Sequence, residues 1–363
     1  TRTDATGAFT LTNMPYRAAG VPVVIQAGRW RKQITVTPTR CGTVDLSPTH
    51  PQPPTTNNTT FGATQSATNH IPKFAVTSGG ADALPCLLRK VGIADSEFTQ
   101  PAGPGRVNLY AGYNGTSRFR GGSPAFNGYT GTGTWTEANQ NTRNFPSELY
   151  LFGNGDTNVV DSSKLDAYDA VVLTCEGNND RESTFGGYRA EMKAYADNGG
   201  KIFASHWHHS WLEYGPSPWG GRNTPPPAPL VPLATIDHQS DLANPITGTI
   251  DTGFPKGSAL ATWLRNSNII NGTPASPLGQ ISIAEAQHTI DAVDTSRVTS
   301  WVTVPSQGSV QHFDFNTPVG AATQCGRFVI SDIHVSGSDS SGNGSGSGNS
   351  GFPNNCTSTT MSD

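Results

Sequence analysis

The stretch ESTFGGYRAEMKAYADNGGKIFASH, Glu182–His206, reads as a helix, a glycine stop and a strand in direct succession. Tyr188, Met192 and Tyr195 recur at helical spacing, and Gly199-Gly200 is the residue type that closes helices. KIFASH, Lys201–His206, is then a short apolar run of strand length. Upstream the same alternation repeats. IPKFAVTSG (71–79), RVNLYAG (106–112) and DAVVLTCEG (169–177) read as strands, while ADALPCLLRKVGI (81–93) and SSKLDAY (162–168) read as helices. Strands alternating with helices imply βαβ units with right-handed crossovers, hence an α/β fold around a mostly parallel sheet with flanking helices.

Downstream, KGSALATWLRNSNII (256–270) reads as a helix, and VTSWVTV (298–304), SVQHFDFNT (309–317) and CGRFVISDIHV (325–335) as three strands, the first two joined by the turn PSQG. Two stretches interrupt the pattern, a Gly/Asn/Thr-rich surface excursion at 111–146 and the proline-rich 214–230. Residues 1–46 differ in kind. GAFTLTNMP, VPVVIQAGRW and RKQITVTPTRCGTVDL alternate with period two and are broken by Pro and Gly, which suits a small antiparallel β module. The expected organisation is this module (1–46), a Pro/Thr/Asn-rich linker (47–70), the α/β domain (71–337) and a Gly/Ser-rich tail (338–363).

Only 14% of the 363 residues are charged, whereas Gly (41) and Pro (27) are abundant, a composition that suits a loop-rich exported protein. The net charge of −4 argues against nucleic acid, which demands a basic face. No stretch approaches the ~20 apolar residues of a membrane-spanning helix. The opening TRTDATGAF lacks a Met and suggests a mature or truncated chain. Cys41, Cys86, Cys175, Cys325 and Cys356 form no CxxC pair. One or two disulfides with at least one free thiol are expected, with Cys356 as a means of holding the tail.

Several segments carry a family resemblance. YDAVVLTCEGN (168–178), YRAEMKAYADNGGKIFASHW (188–207), ANPITGTI (243–250) and CGRFVISDIHVSG (325–337) together resemble the trehalose-utilisation (ThuA-like) branch of the class I glutamine-amidotransferase-like fold. Asn244 stands where that family usually has His. The segment TDATGAFTLTNMPYRAAGVPVVIQAGRWRKQITV, from Thr3 to Val36, resembles the end of a carboxypeptidase-regulatory-like β-sandwich. A β-hairpin added to the main domain is the other reading. The layout is similar to that of myxobacterial-type surface proteins, which implies an extracellular or cell-surface bacterial protein with a flavodoxin-like sheet and a carbohydrate connection. An incomplete β module implies self-assembly through an unpaired edge. In amidotransferases the turn after the KIFASH-like strand carries a nucleophilic Cys. Ser205-His206 occupies it here, so thiol-based glutamine hydrolysis is not expected.

Chemistry is therefore expected at the carboxyl edge of the sheet, where open α/β folds bind ligands. His206 and His334 each close a strand, Asp332 and His334 are spaced to share a side, and His312 and Asp314 likewise. The expected metal-ligating set is His206, His312, Asp332 and His334, suited to a divalent ion such as Zn²⁺. The expected catalytic set is His206, His334 and Glu176. The alternative is that these histidines are hydrogen-bonded rim residues. A thiol route through Cys175, a Ser205–His206 route with Glu176, Asp332 or Glu213 as the acid, and a carboxylate pair among Glu176, Asp180, Glu182 and Glu213 are further candidates. FASHW lacks the glycines of a nucleophile elbow. Trp207, Trp211 and Trp219 are the expected aromatic platform for a glycan or another surface protein, with capping of the sheet as the alternative. His208 and His209 are assigned only accessory roles.

Overall fold

The computed structural model describes residues 1–4, 7–46, 59–79, 82, 84–110, 112, 135–136, 142–143, 146, 148–153, 163–175, 186–220, 231–265 and 277–334. The tail with Cys356, nearly all of 111–146, residues 47–58, and Glu176, Asp180 and Glu182 lie outside them.

The chain is a mixed α/β protein with a ten-stranded sheet and a three-stranded antiparallel sheet. The small sheet holds β1 (Val21–Ala27), β2 (Trp30–Val36) and β3 (Asn69–His70). Val23, Ile34 and Val36 form its core, as the period-two alternation predicts. β3 falls inside the stretch expected to be a linker. The Asn69 amide bonds Gly62 and Thr64, and Lys32 Nζ reaches Thr60 O at 2.5 Å. Order here comes from a polar network, which hydrophobic periodicity does not register. Arg29 pairs with Asp169 and Trp30 packs on the main core, so the module is seated on the α/β domain.

In the large sheet, β4 (Phe74–Thr77), β5 (Phe98–Thr99), β6 (Val107–Tyr110), β9 (Ala170–Leu173), β10 (Lys201–Ser205) and β17 (Gly326–Ser331) are parallel. They lie in the order β17-β10-β9-β4-β6-β5. Beyond β17 the sheet turns antiparallel through β16 (Ser309–Thr317), β15 (Thr299–Val304), β12 (Ile246–Ile250) and β13 (Gln280–Ile283). β12 and β13 are absent from the sequence reading because Gly248 and the brevity of QISI mask their alternation. Two short ladders stand apart, β7 (Trp135–Thr136) with β8 (Thr142–Arg143) and β11 (Ala234–Ile236) with β14 (Ile290–Val293).

Helices α1 (Leu84–Lys90), α2 (Glu148–Phe152), α3 (Ser163–Asp166), α4 (Arg189–Asp197), α5 (Ser210–Glu213) and α6 (Pro255–Leu264) complete the framework. Among the described residues, no helix is long and apolar enough to cross a membrane. On one face of the parallel block α1 supplies Cys86 to a core with Val76 and Leu109, and on the other α2, α3 and α4 supply Phe152, Leu165 and Met192 around Val171, Ile202 and Phe328. The glycine stop does what its composition predicts. Gly199 N–H bonds Ala196 O, Gly200 N–H bonds Tyr195 O, and Gly199 takes φ 108°. These are the two bonds and the left-handed residue of a Schellman closure, and they aim the chain straight into β10. Cys86 is disulfide-bonded, whereas Cys41, Cys175 and Cys325 are not.

Candidate metal centre

β10 runs between β9 and β17, so the ends of all three strands meet at one carboxyl edge. Leu173 pairs with Ala204, which sets Cys175 level with His206. Ser205 pairs with Ser331, which brings the chain toward His334 alongside. His206 leaves β10 at φ 35° and starts a 3-10 turn, His206–His209, that runs into α5. A left-handed φ on a residue other than glycine is uncommon and strained, and such strain gathers at functional sites.

The buried His206 Nδ1 lies 2.8 Å from His334 Nε2 and 3.5 Å from Cys175 Sγ. Among the described residues these three form one of two clusters whose ligand atoms all lie within 4.8 Å of one another. Two imidazole nitrogens on a tetrahedral ion of the zinc type sit about 3.3 Å apart, and a nitrogen and a sulfur about 3.6 Å. The sulfur spacing already fits, and the nitrogens need to open by about half an ångström. His334 Nδ1 faces Glu285 Oε2 at 3.8 Å, and His334 N–H bonds Glu285 O. A carboxylate on that side favours the proton on Nδ1 and leaves Nε2 as the ligand atom. Burial, with the neighbouring histidines His334 and His209, drives the His206 pKa well below its ordinary value, so the ring is neutral at neutral pH.

Not every expected ligand arrives. No cluster of three includes His312 or Asp332 among the described residues. β17 ends at Ser331, so alternation of sides no longer holds across Asp332 and His334. Ile333 instead bridges Ala286, and Asp332 Oδ2 accepts the Thr289 N–H at 2.9 Å. Burial raises the Asp332 pKa. His312 sits on β16, its ring 6.3 Å from that of Phe203. Burial lowers its pKa from 6.5 to about 4. The folded state therefore binds fewer protons than the unfolded chain between pH 6.5 and about 4, and stability falls as pH drops through that window. Part of the ring is still solvated, which reduces the full linkage to about 1–3 kcal/mol. Urea unfolding from pH 7 to pH 4 should show this loss, and His312→Asn should reduce it, leaving the part that His206 contributes.

The tryptophans divide. Trp211 and Trp219 are each 1% exposed, Trp211 edge-on to Phe152 and Trp219 edge-on to Phe315 and Phe328, so neither is a stacking platform. They are core, because the loop after β10 folds back under the sheet edge. Trp207 alone is half-buried, its ring 4.7 Å from His206 and stacked 5.7 Å from His238. Ser205 Oγ donates to Asp82 rather than to a histidine, which removes the Ser–His route. His208 is structural, since its Nε2 donates to Thr174 O and its Nδ1 accepts from Trp211 Nε1. His209, given only an accessory role from the sequence, and His238, not singled out there, close on Glu213 in the second cluster. The signal for His209 and Glu213 was their i, i+4 spacing, whereas nothing local marks His238.

No family model and no curated protein matches the chain. Among solved structures, a cytoplasmic protein from Salmonella typhimurium aligns over 53% of this chain and 69% of its own at 12% identity. Its TM-score of 0.30 is too low to carry an argument.

Proposed function

We propose that the chain is an exported, metal-dependent hydrolase or binding protein for a carbohydrate-derived ligand, with Cys175, His206 and His334 holding a divalent ion. The observation that carries this reading is the strained His206, whose Nδ1 meets an imidazole and a thiol at one sheet edge. Three protein ligands would leave a fourth position on a zinc-type ion, which would supply a water acidified toward neutral pH. Glu285 orients His334, and Trp207 offers a ring face beside the ligands for a sugar. The parallel block has the order 2-1-3-4-5 when its strands are counted without the two-residue β5, which supports a flavodoxin-like sheet and a ligand at its carboxyl edge. Export rests on the low charge content and the disulfide at Cys86. The carbohydrate assignment rests on the ThuA-like resemblance of 168–207, 243–250 and 325–337.

Chelator-stripped protein titrated with Zn²⁺ should bind it stoichiometrically with a thiolate contribution. His206→Ala should lower that site's affinity at least 100-fold, and Cys175→Ser should abolish the thiolate-to-metal band with Co²⁺. A wild-type protein without stoichiometric metal would sink the reading. A second reading, assembly through the N-terminal module, is favoured by β1, whose outer edge pairs with no strand among the described residues and exposes Val24. It predicts association that Val24→Lys abolishes, and sedimentation as a monomer at high concentration counts against it.

A further inference from the structure

We propose that His209, Glu213 and His238 form a second divalent-cation site, separate from the Cys175–His206–His334 cluster and not dependent on it. His209 Nδ1 is 2.9 Å from the carbonyl oxygen of His206, which can only accept, so Nδ1 carries the hydrogen. Its Nε2 faces Glu213 Oε2 at 3.1 Å. His238 Nε2 comes to the same carboxylate, 3.0 Å from Oε2 and 3.2 Å from Oε1. Two imidazole nitrogens therefore converge on one buried carboxylate, and the ligand atoms of the three residues all lie within 4.8 Å of one another. A cation among them would be held by all three.

The spacing suits an ion. Adjacent ligands about 2.1 Å from an octahedral metal are about 3.0 Å apart, and the nitrogen–oxygen distances here are 3.0 and 3.1 Å. The backbone is committed to the arrangement. His238 holds φ 37°, and its neighbours are pinned on both sides, Asp237 N–H to Thr289 O and Gln239 N–H to His288 O. Trp207 stacks on the His238 ring. Together with His206, this makes two of the four left-handed non-glycine residues among the described residues histidines of adjoining clusters. His209 and Glu213 lie on consecutive turns at i, i+4, and their side chains are almost fully buried. The His238 side chain is 33% exposed, so the site opens to solvent on one side. Two nitrogens and one carboxylate oxygen, with positions left open, are a donor set for a first-row divalent ion such as Zn²⁺ or Fe²⁺ rather than Ca²⁺ or Mg²⁺.

The full chain, stripped with chelator and titrated with Zn²⁺ and with Co²⁺, should take up two equivalents. His238→Asn, at the most exposed ligand, and Glu213→Gln should each leave one equivalent and keep the Co²⁺ thiolate charge-transfer band of the Cys175 site. Cys175→Ser should do the converse, losing the band while the second equivalent still binds. Circular dichroism melts of each variant identify any that fails to fold, and His238→Asn is the variant least exposed to that failure. The proposal is overturned if His238→Asn binds Zn²⁺ with the stoichiometry and affinity of the wild type, which is the result for a plain imidazolium–carboxylate pair. It is also overturned if Cys175→Ser removes all metal binding. Loss of the thiolate band with one nitrogen/oxygen-bound equivalent retained in the wild type would instead remove the first site and leave this one standing.

Discussion

Trp211→Ala should lower the stability of the folded chain by about 3–5 kcal/mol, whereas removal of an exposed sugar platform would leave stability unchanged. The indole is 1% exposed and packs edge-on against Phe152 at 5.0 Å between ring centres. Its removal leaves a cavity under the turn after β10. It also strips His208 Nδ1 of the Trp211 N–H, while His208 Nε2 still holds Thr174 O, one residue before Cys175. The indole therefore braces one wall of the Cys175–His206 pair through a single histidine. Equilibrium urea unfolding checks the magnitude. A change below about 1 kcal/mol, the scale of a surface substitution, would mean that the loop does not fold under the sheet as described.

Gly79→Ala should damage the proposed metal site more than the fold. Gly79 follows β4, and a Cβ there would lie 2.1 Å from Cys175 O and 2.6 Å from Thr174 Cγ2. Both atoms belong to the two residues that follow β9, and the nearer one is backbone that no rotamer change can move. Either β4 or β9 must shift, at about 1–3 kcal/mol for overpacking. A shift of β9 carries Cys175 away from His206 Nδ1, where 3.5 Å already suits a shared ion. The expected outcome is a Zn²⁺ affinity at the thiolate site about 10–100-fold weaker, the scale of lost ligand support, with a cooperative melt retained. Calorimetric titration and a thermal melt of the same sample separate the two effects. Unaltered affinity would place Cys175 outside the ligand set.

Legibility in the sequence followed the range of each signal. Met192 and Tyr195 marked the buried face of α4, and Gly199-Gly200 marked its closure, because both signals span a few residues of one element. The strands 298–304, 309–317 and 325–335 were recognisable as strands, but their direction was not. Four of the ten strands proved antiparallel, and β12 and β13 join the far edge from a region where glycine and short runs hide the pattern. The candidate site was half legible. His206 and His334 were found from their positions at strand ends, and the structure brings them to 2.8 Å. Asp332 was misjudged because the rule that alternate residues share a side holds only while the strand continues, and β17 stops one residue earlier. Trp211 and Trp219 follow the capping reading rather than the platform, a choice the sequence left open because an aromatic loop reads alike whether it faces solvent or folds inward.

By itself the sequence determined the succession of strand, helix, glycine stop and strand, and the turn at Ser205-His206 from which the chemistry departs. Helical periodicity, strand length and glycine closure are local properties, and local residues suffice to state them. The tertiary structure alone decided which side chains face one another. Cys175 meets His206 because β10 lies beside β9 in register, and His238 meets Glu213 because a left-handed residue after β11 turns it inward. Strand order and register are set by packing across the whole sheet, so no window of sequence contains them.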